Sequence, residues 1–335
     1  MKIVFFETMP GEREAFQRLL PPGHDVSFFE KKLIDDGSLI AQAEDADIIS
    51  VFVNCDVSAT VMDRFPSLKL IATRSMGYDH IDLDHATTKG IKVTNVTTYA
   101  AHPVAEFTFA LLLAIGRHIA TAYERVREET DFDVREYRGI TLYGKTLGVI
   151  GTGRIGEQVI RIAQGFGMQV MAFDAFPNDA LAQEIGFLYL PLDDVLARAD
   201  VITLHLPYSQ DTHHILNTNA FLRMKKGTYL VNTARGELID SKALLAALED
   251  GTIAGAGLDV LEEEDLLKKG TASVLDGQND VDHTATAINH LLIDHPRALV
   301  TPHIAFSTDA ALQEIERATA ESIATFIAGI EQRYL

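Results

Sequence analysis

The sequence predicts an α/β protein built from parallel sheets joined by helical crossovers, and two features of the chain carry this prediction. Short apolar runs alternate with longer segments whose apolar residues recur at helical spacing, which is typical of strands that pair in parallel. The chain has 335 residues, which suits two domains of roughly 100–200 residues each. We therefore expect two domains, each with a hydrophobic core of its own.

The predicted strands are short apolar runs spread over the whole chain. In chain order they are 3–6, 48–53, 70–73, 147–150, 170–173, 201–206, 229–232, 256–260 and 299–301. Apolar residues at helical spacing predict long helices over about 104–127 and over 308–327, and Thr308 is a suitable N-cap for the second. The region 262–296 is less regular, and we expect a long connection there that contains some helix.

Composition excludes several classes of function. The chain carries 48 Asp and Glu against 29 Lys and Arg, a formal net charge of −19, which is opposite in sign to a nucleic-acid-binding surface. Cys55 is the sole cysteine, so an intrachain disulfide cannot form and a reducing, cytoplasmic setting fits. The longest apolar stretch, 107–115, is well short of the roughly 18–20 residues that span a bilayer. We therefore expect a protein that binds neither nucleic acid nor membrane.

The sharpest local signal is a glycine-rich turn between a strand and a helix. Gly151, Gly153 and Gly156 follow the strand 147–150 in the pattern G-x-G-x-x-G, and a helical pattern begins directly afterwards. Glycine lets the backbone turn tightly and approach a pyrophosphate, which then lies on the N–H groups and positive dipole end of the helix. The turn therefore predicts a dinucleotide site.

The next strand indicates which dinucleotide binds. It ends at Asp174, 23 residues beyond Gly151. A carboxylate at this spacing accepts hydrogen bonds from the adenosine ribose hydroxyls, and Ala175 and Phe176 supply no cation for a 2′-phosphate. NAD is therefore favoured over NADP, and an incidental glycine turn in another doubly wound fold is the alternative.

A competing motif lies just upstream, where residues 139–146 satisfy the phosphate-loop pattern G-x-x-x-x-G-K-[ST]. A phosphate loop needs a strand before it and a helix after it, so that the helix dipole faces the phosphates. Here a predicted strand follows instead. We therefore interpret Lys145 as a solvated charge at the start of a strand rather than as part of a nucleoside triphosphatase.

Polar side chains also follow the later strands. Arg235 lies just past the strand 229–232, where its planar fork could bind an anionic substrate, and a surface salt bridge is an equal alternative. His303 follows the strand 299–301 and suits general acid–base chemistry near neutral pH, especially beside a carboxylate that stabilises the imidazolium. Taken alone, however, His303 is better interpreted as a surface histidine, and the acidic run 262–265 as a solvated helix start. The other histidines show no zinc-ligand spacing, and no metal site is predicted.

Taken in order, these motifs resemble the D-isomer-specific 2-hydroxyacid dehydrogenase family, and most closely its NAD-dependent D-lactate dehydrogenase branch, over nearly the whole chain. The segments that carry the resemblance are SVFVN at 50–54, RSMGYDHIDLD at 74–84, VAE at 104–106, YGKTLGVIGTG at 143–153, NTARG at 232–236, GLDV at 257–260 and TPHIAF at 301–306. The resemblance implies a flavodoxin-like substrate domain over 1–100 and 302–335, with a Rossmann NAD-binding domain over 101–301 inserted in it. It further implies catalysis in the cleft between the domains, with hinges near Ala101 and Thr301.

The resemblance also assigns residues by position. It implies that Arg235 binds the substrate carboxylate and polarises the ketone, that His303 gives a proton to the developing alkoxide, and that Glu264 keeps that proton on the histidine. The implied substrate contacts are Ser75, Met76, Gly77, Tyr99, Phe52 and Phe306. The implied cofactor contacts, besides the glycines and Asp174, are Arg154, Ile155, His205, Pro207, Thr233, Ala234 and Asp259.

The chain departs from the lactate branch next to the implied pocket. That branch usually follows its pocket tyrosine with Pro-Glu and ends the motif in Glu-His, whereas this chain continues from Tyr99 with Ala-Ala-His102-Pro and then has Glu106-Phe107. Met76 in place of a lysine argues against a phosphite-oxidising relative, and Glu264 in place of glutamine against a formate dehydrogenase.

The resemblance therefore implies a dehydrogenase that reduces pyruvate or a bulkier 2-keto acid with NADH. It also implies a homodimer formed through the NAD-binding domain. The alternative on the same scaffold is a nicotinamide-sensing, corepressor-like binding protein without significant turnover.

Overall fold

The computed structural model describes residues 1–34, 37–264 and 283–335, which fall into two compact units. Unit 1 comprises Met1–Ala100 and Ser307–Leu335, and unit 2 is Ala101–Phe306. The second boundary therefore lies five residues beyond the expected position between 301 and 302. The reason is local, because the backbone N–H groups of His303, Ile304 and Ala305 all donate hydrogen bonds to Asp259 in unit 2.

Unit 1 contains a parallel sheet that is covered on both faces. Its described strands are β1 (Lys2–Phe5), β2 (Asp25–Phe28), β3 (Ile48–Val51), β4 (Leu70–Thr73) and β5 (Lys92–Thr94), in the order β2-β1-β3-β4-β5. The helices between them are α1 (Glu12–Leu19), α2 (Gly37–Ile40), α3 (Ala59–Met62) and α4 (Leu83–Lys89). Alternate residues point to opposite faces, so that Val4 and Ile49 join one buried cluster while Ile3 and Ile48 join another. This strand order is the flavodoxin-like one.

Unit 2 contains the larger parallel sheet. Its described strands are β6 (Thr146–Ile150), β7 (Gln169–Phe173), β8 (Leu188–Tyr189), β9 (Val201–Leu204), β10 (Thr228–Asn232), β11 (Ile253–Leu258) and β12 (Ala298–Val300), in the order β12-β11-β10-β9-β6-β7-β8. The strand order reverses between β6 and β9, and this switch point is where doubly wound sheets bind ligands. The order from β8 to β11 is that of a Rossmann domain, with β12 added at the far edge.

The helices of unit 2 complete the two outer layers. They are α5 (Ala101–Gly116), α6 (Ile119–Glu129), α7 (Arg154–Gly165), α8 (Asp179–Ile185), α9 (Leu192–Arg198), α10 (Thr218–Arg223), α11 (Ser241–Glu249) and α12 (His283–Ile293). The last helix, α13 (Asp309–Ile327), returns to unit 1. Thr308 caps α13 as predicted, since its Oγ1 accepts a hydrogen bond from the Ala311 N–H at 3.2 Å. Of the expected connection 262–296, residues 265–282 lie outside the described residues, and α12 confirms the expected helix in the remainder.

The single helix predicted over 104–127 is wrong, because two helices, α5 and α6, meet there at a bend of 57°. His118 between them has a left-handed backbone with φ of 54°. A returning segment explains the break: the Ile140 N–H donates to the Gly116 carbonyl at 2.9 Å, and a Cβ on Gly116 would lie 2.8 Å from the Ile140 side chain. The bend therefore depends on a contact distant in sequence, which helical periodicity does not reveal.

Three strands were not predicted, namely β2, β5 and β8. The β2 strand is only partly buried, and β5 and β8 span three and two residues. Such short or half-exposed segments lack a continuous apolar run.

In the part of the chain that the structure describes, no single helix has the length and apolar character needed to cross a membrane. Within the same described residues, α5 and α6 taken together, across their bend, meet that criterion by length and composition.

Candidate active site

Three neighbouring strands of unit 2 place the predicted catalytic residues at one edge of its sheet. Arg235, Glu264 and His303 follow β10, β11 and β12, which are adjacent and parallel. Because the carboxyl ends of parallel strands meet at the same edge, residues distant in sequence are brought to one region.

The closest relationship in this group is between His303 and Glu264. The Nδ1 atom of His303 lies 3.0 Å from Glu264 Oε1, and the two side chains are 25% and 26% exposed. A carboxylate on Nδ1 fixes the ring orientation and favours a proton on that nitrogen, which leaves Nε2 as the atom for chemistry. The pair therefore has the geometry of a general acid–base held by an orienting carboxylate.

A buried aspartate holds the backbone that presents His303. Asp259 is 0% exposed, and its carboxylate accepts hydrogen bonds from Thr301 Oγ1 at 2.5 Å, the Ile304 N–H at 3.0 Å and the Ala305 N–H at 2.8 Å. Burial raises the pKa of the Asp259 carboxyl, while these hydrogen bonds and the neighbouring His303 act in the opposite direction. His303 has a left-handed backbone with φ of 56°, a conformation that persists only where its surroundings enforce it. Asp259 supplies that enforcement.

Arg235 lies on a short loop whose backbone is held by hydrogen bonds to the side chain of Asn232. Asn232 Nδ2 donates to the Arg235 carbonyl at 2.8 Å, and the Ala234 N–H donates to Asn232 Oδ1 at 3.0 Å. The Arg235 side chain donates through Nη1 to the Ala234 carbonyl at 2.7 Å. A buried amide therefore fixes the backbone from which the guanidinium projects.

The glycine turn has the steric features of a dinucleotide site. Gly151 has φ of 96°, and a Cβ there would lie 2.7 Å from the carbonyl carbon of His205. A Cβ on Gly156 would lie 2.1 Å from the Gly151 carbonyl oxygen, whereas one on Gly153 would meet nothing within 4 Å. Two glycines thus allow close packing, and the third leaves open space at the N-terminus of α7, where a pyrophosphate can approach the backbone N–H groups of Arg154 and Ile155. These residues fit NAD.

The other predicted cofactor residues lie along the same edge of the sheet. Asp174 follows β7, His205 and Pro207 follow β9, and Thr233 and Ala234 follow β10. Burial lowers the pKa of His205 to about 3, so its imidazole is neutral, and its Nε2 lies 2.9 Å from Thr203 Oγ1. Asp259 differs from this group, because the loop around His303 occupies both oxygens of its carboxylate.

In unit 1, the predicted substrate loop is closed by its own hydrogen bonds. Ser75 Oγ donates to the Gly77 carbonyl at 2.6 Å and lies 2.7 Å from Thr73 Oγ1. The Met76 N–H, predicted to hold a substrate carboxylate, donates to the Tyr99 hydroxyl at 3.3 Å. Four of the six predicted substrate residues, Ser75, Met76, Gly77 and Tyr99, are thus brought together.

Phe52, the remaining predicted substrate residue of unit 1, is buried beside Arg74, to which the sequence analysis assigned no role. The Cζ atom of Arg74 lies 5.7 Å from the centre of the Phe52 ring. Arg74 follows a buried strand directly, and that placement is the signal that could have found it. Phe306 belongs to unit 2.

The fold and this set of residues define a dehydrogenase with a dinucleotide-binding domain. Residues 109–305 match the family model described as "D-isomer specific 2-hydroxyacid dehydrogenase, NAD binding domain", and the chain belongs to this family of NAD-dependent oxidoreductases, which act on the CH–OH group of 2-hydroxy acids.

Individual relatives match nearly the whole chain. This chain is 38% identical to a 2-hydroxyacid dehydrogenase homologue of Schizosaccharomyces pombe over 97% of this chain and 96% of that protein. It is 36% identical to the D-lactate dehydrogenase of Escherichia coli over 98% of each. The crystal structure of D-lactate dehydrogenase from Aquifex aeolicus, complexed with NAD and lactic acid, superposes with a TM-score of 0.85 at 35% identity and covers 98% of this chain and 96% of that one.

Proposed function

We propose that this protein is a D-lactate dehydrogenase or a close variant, which reduces pyruvate or a related 2-keto acid with NADH. The observation that carries the proposal is the contact between His303 Nδ1 and Glu264 Oε1 at 3.0 Å, at the sheet edge that also carries Arg235. The E. coli and A. aeolicus relatives, which are named D-lactate dehydrogenases, support this substrate class.

The chain's own residues supply binding and proton transfer in this proposal. The planar guanidinium of Arg235 binds the substrate carboxylate and polarises the neighbouring ketone. The hydride added to the substrate carbon would come from NADH bound at the glycine turn. His303 gives the proton on Nε2 to the developing alkoxide oxygen, and Glu264 stabilises the imidazolium from the opposite nitrogen.

We further propose that unit 1 is the substrate domain. The backbone of Ser75, Met76 and Gly77 would bind the carboxylate, and the Met76 N–H would exchange its acceptor, the Tyr99 hydroxyl, for a substrate oxygen. Phe52, Tyr99 and Phe306 would set the permitted size of the substrate side chain. His102 is exposed and stands where the lactate branch has a carboxylate, so the test includes 2-keto acids other than pyruvate.

The test is NADH oxidation with a panel of 2-keto acids from pyruvate to branched and phenyl-substituted members, with NADPH in parallel. Fast turnover of one member with NADH is expected and identifies the substrate. NADH binding without turnover of any member would overturn the proposal in favour of the corepressor-like binding protein. A preference for NADPH would overturn the role of Asp174.

We also propose a homodimer formed through unit 2. The α6 helix buries none of its residues, and the segment after it exposes Phe132 and Val134 to 75% and 79%. Clustered exposed apolar side chains are typical of an interaction surface. Light scattering after size exclusion should give twice the chain mass of 36.8 kDa, and a monomer would contradict the proposal.

We propose a cytoplasmic setting, which the cysteine content supports. Cys55 is the sole cysteine, so an intrachain disulfide cannot form, as is typical of proteins in a reducing compartment.

A further inference from the structure

Three side chains form a hydrogen-bonded chain at the carboxyl ends of β6, β7 and β8. The Tyr189 hydroxyl lies 2.7 Å from Thr152 Oγ1, and Thr152 Oγ1 lies 2.9 Å from Asp174 Oδ2. The Thr152 N–H donates to the same carboxylate oxygen at 2.7 Å. Because β7 lies between β6 and β8 in the sheet, residues 152, 174 and 189 come together only in the folded protein.

The direction of the hydrogen bonds follows from the chemistry of the groups. An ionised carboxylate can only accept, and a threonine hydroxyl has one proton to donate. Thr152 must therefore donate to Asp174, and the phenol of Tyr189 must donate to Thr152. The chain is polarised toward the carboxylate, so each bond strengthens the next.

The surroundings leave the carboxylate little freedom. The second oxygen, Asp174 Oδ1, accepts a hydrogen bond from the Phe176 N–H at 2.9 Å. Thr152 is 9% exposed, and the Tyr189 ring packs edge-on against Phe187 with centroids 4.9 Å apart. Asp174 is thus held at both oxygens, one of them by a side chain whose own position depends on Tyr189.

We propose that Tyr189, acting through Thr152, is a positioning residue that fixes Asp174 and thereby sets the discrimination between NADH and NADPH. The inference rests on the proposed contact of Asp174 with the adenosine ribose. A fixed carboxylate presents its lone pairs to the ribose hydroxyls in one orientation and keeps its charge where a 2′-phosphate would lie. A carboxylate that loses the hydrogen bond from the Thr152 hydroxyl keeps only the backbone N–H groups of Thr152 and Phe176. It is then less firmly oriented, which weakens NADH binding and lessens the repulsion of NADPH.

The test measures the dissociation constants of NADH and NADPH by nicotinamide fluorescence, which requires no knowledge of the keto acid. Tyr189→Phe keeps the ring and removes the donor. We expect the ratio of the NADPH to the NADH dissociation constant to fall roughly threefold to tenfold, the effect of losing one hydrogen bond. Tyr143→Phe is the matched control, because that ring is 79% exposed, and it should leave the ratio unchanged.

Two further variants establish the route through Thr152. Thr152→Val should lower the ratio at least as much as Tyr189→Phe, and adding Tyr189→Phe to it should have no further effect, because the phenol has then lost its target. Thr152→Ser, which keeps a hydroxyl, should retain most of the discrimination.

Asp174→Asn separates the two ways in which the inference can fail. If this variant leaves the ratio unchanged, the contact of Asp174 with the ribose is wrong, and the positioning role fails with it. If Asp174→Asn lowers the ratio but Tyr189→Phe does not, only the positioning role is overturned. An equal rise in both dissociation constants for Tyr189→Phe would also overturn it, since that is the result of a purely structural defect.

Discussion

Gly236 lies directly against Leu261, so that a Cβ on Gly236 would fall 2.1 Å from the carbonyl carbon and oxygen of Leu261. The same Cβ would lie 2.3 Å from the Glu262 backbone nitrogen. Two loops that carry proposed catalytic residues therefore meet backbone to backbone, one immediately after Arg235 and the other three residues before Glu264. The absence of a side chain at position 236 sets their separation.

Gly236→Ala should therefore displace the loop that carries Glu264. A rigid backbone cannot yield at so short a distance, so we expect kcat for the keto acid to fall at least about tenfold, since ångström-scale misplacement of catalytic groups is costly. NADH affinity is measured alongside, because the predicted cofactor contacts Thr233 and Ala234 precede Gly236 on the same loop. Gly165→Ala is the control: a Cβ there meets nothing within 4 Å, and the helix should tolerate it. Equal activity of the two variants would contradict the steric argument.

A buried arginine organises the strand ends of unit 1. The guanidinium of Arg74, 1% exposed, donates through Nη2 to the carbonyls of Phe6 and Glu7 at 2.8 Å each. Its Nε lies 3.2 Å from Glu12 Oε1, which is close enough for an ion pair although not aligned for a hydrogen bond. The ends of β1 and β4 are thus joined one residue before Ser75.

Arg74→Met should cost about 3–5 kcal/mol in the free energy of unfolding, because it leaves the Glu12 carboxylate buried without its partner. Urea denaturation measures this loss. Arg317→Met is the comparison, since Arg317 and its partner Glu321 are exposed on α13 and its other partner, Glu314, is only partly buried. Ion pairs at such positions contribute little. Similar unfolding midpoints for the two variants would show that burial does not decide the value of these pairs.

The local parts of the site could be predicted from the sequence. The strand β6, the glycine turn and the helix α7 are contiguous. The structure confirms that a strand, and not a helix, follows the candidate phosphate loop, because β6 begins at its last residue, Thr146. The proposed catalytic group needed a family resemblance, because Arg235, Glu264 and His303 come to one sheet edge only through the order of β10, β11 and β12.

Other features depend on contacts that no local pattern contains. Tyr189 is the last residue of a two-residue strand, which is too short to show periodicity. Its hydroxyl reaches Thr152 Oγ1 only because β8 pairs with β7. The break at His118 likewise depends on Ile140, which returns along the chain to bind Gly116. The sequence shows Asn232 as a polar residue at the end of a buried strand. That its side chain donates a hydrogen bond to the Arg235 carbonyl follows only from the loop geometry.

His205 should make the protein sensitive to acid. Burial lowers the pKa of His205 in the folded protein to about 3 from a usual value of 6.5. Between these pH values the imidazole is therefore protonated in the unfolded chain but neutral in the folded one. The contribution of His205 to the free energy of unfolding is therefore fully present above about pH 6.5. It is lost as the pH falls toward 3, by up to about 1.4 kcal/mol per pH unit. In His205→Gln, urea midpoints at pH 7 and pH 4.5 should differ less than in the wild type. His290→Gln, at an exposed position, should leave the difference unchanged, and an equal acid sensitivity of all three proteins would contradict the assignment.

The contact between His303 and Glu264 predicts a graded loss of activity. His303→Ala removes the proton donor and should lower kcat by about 10²–10⁴-fold, the usual contribution of general acid–base catalysis. Glu264→Gln keeps an oxygen that can accept the Nδ1 hydrogen bond but removes the negative charge, so its loss should be smaller. Both variants should retain wild-type NADH affinity by nicotinamide fluorescence, since neither side chain belongs to the glycine turn. Unchanged turnover in His303→Ala would remove the histidine from proton transfer, and a larger loss in Glu264→Gln than in His303→Ala would show that the carboxylate acts on more than the histidine.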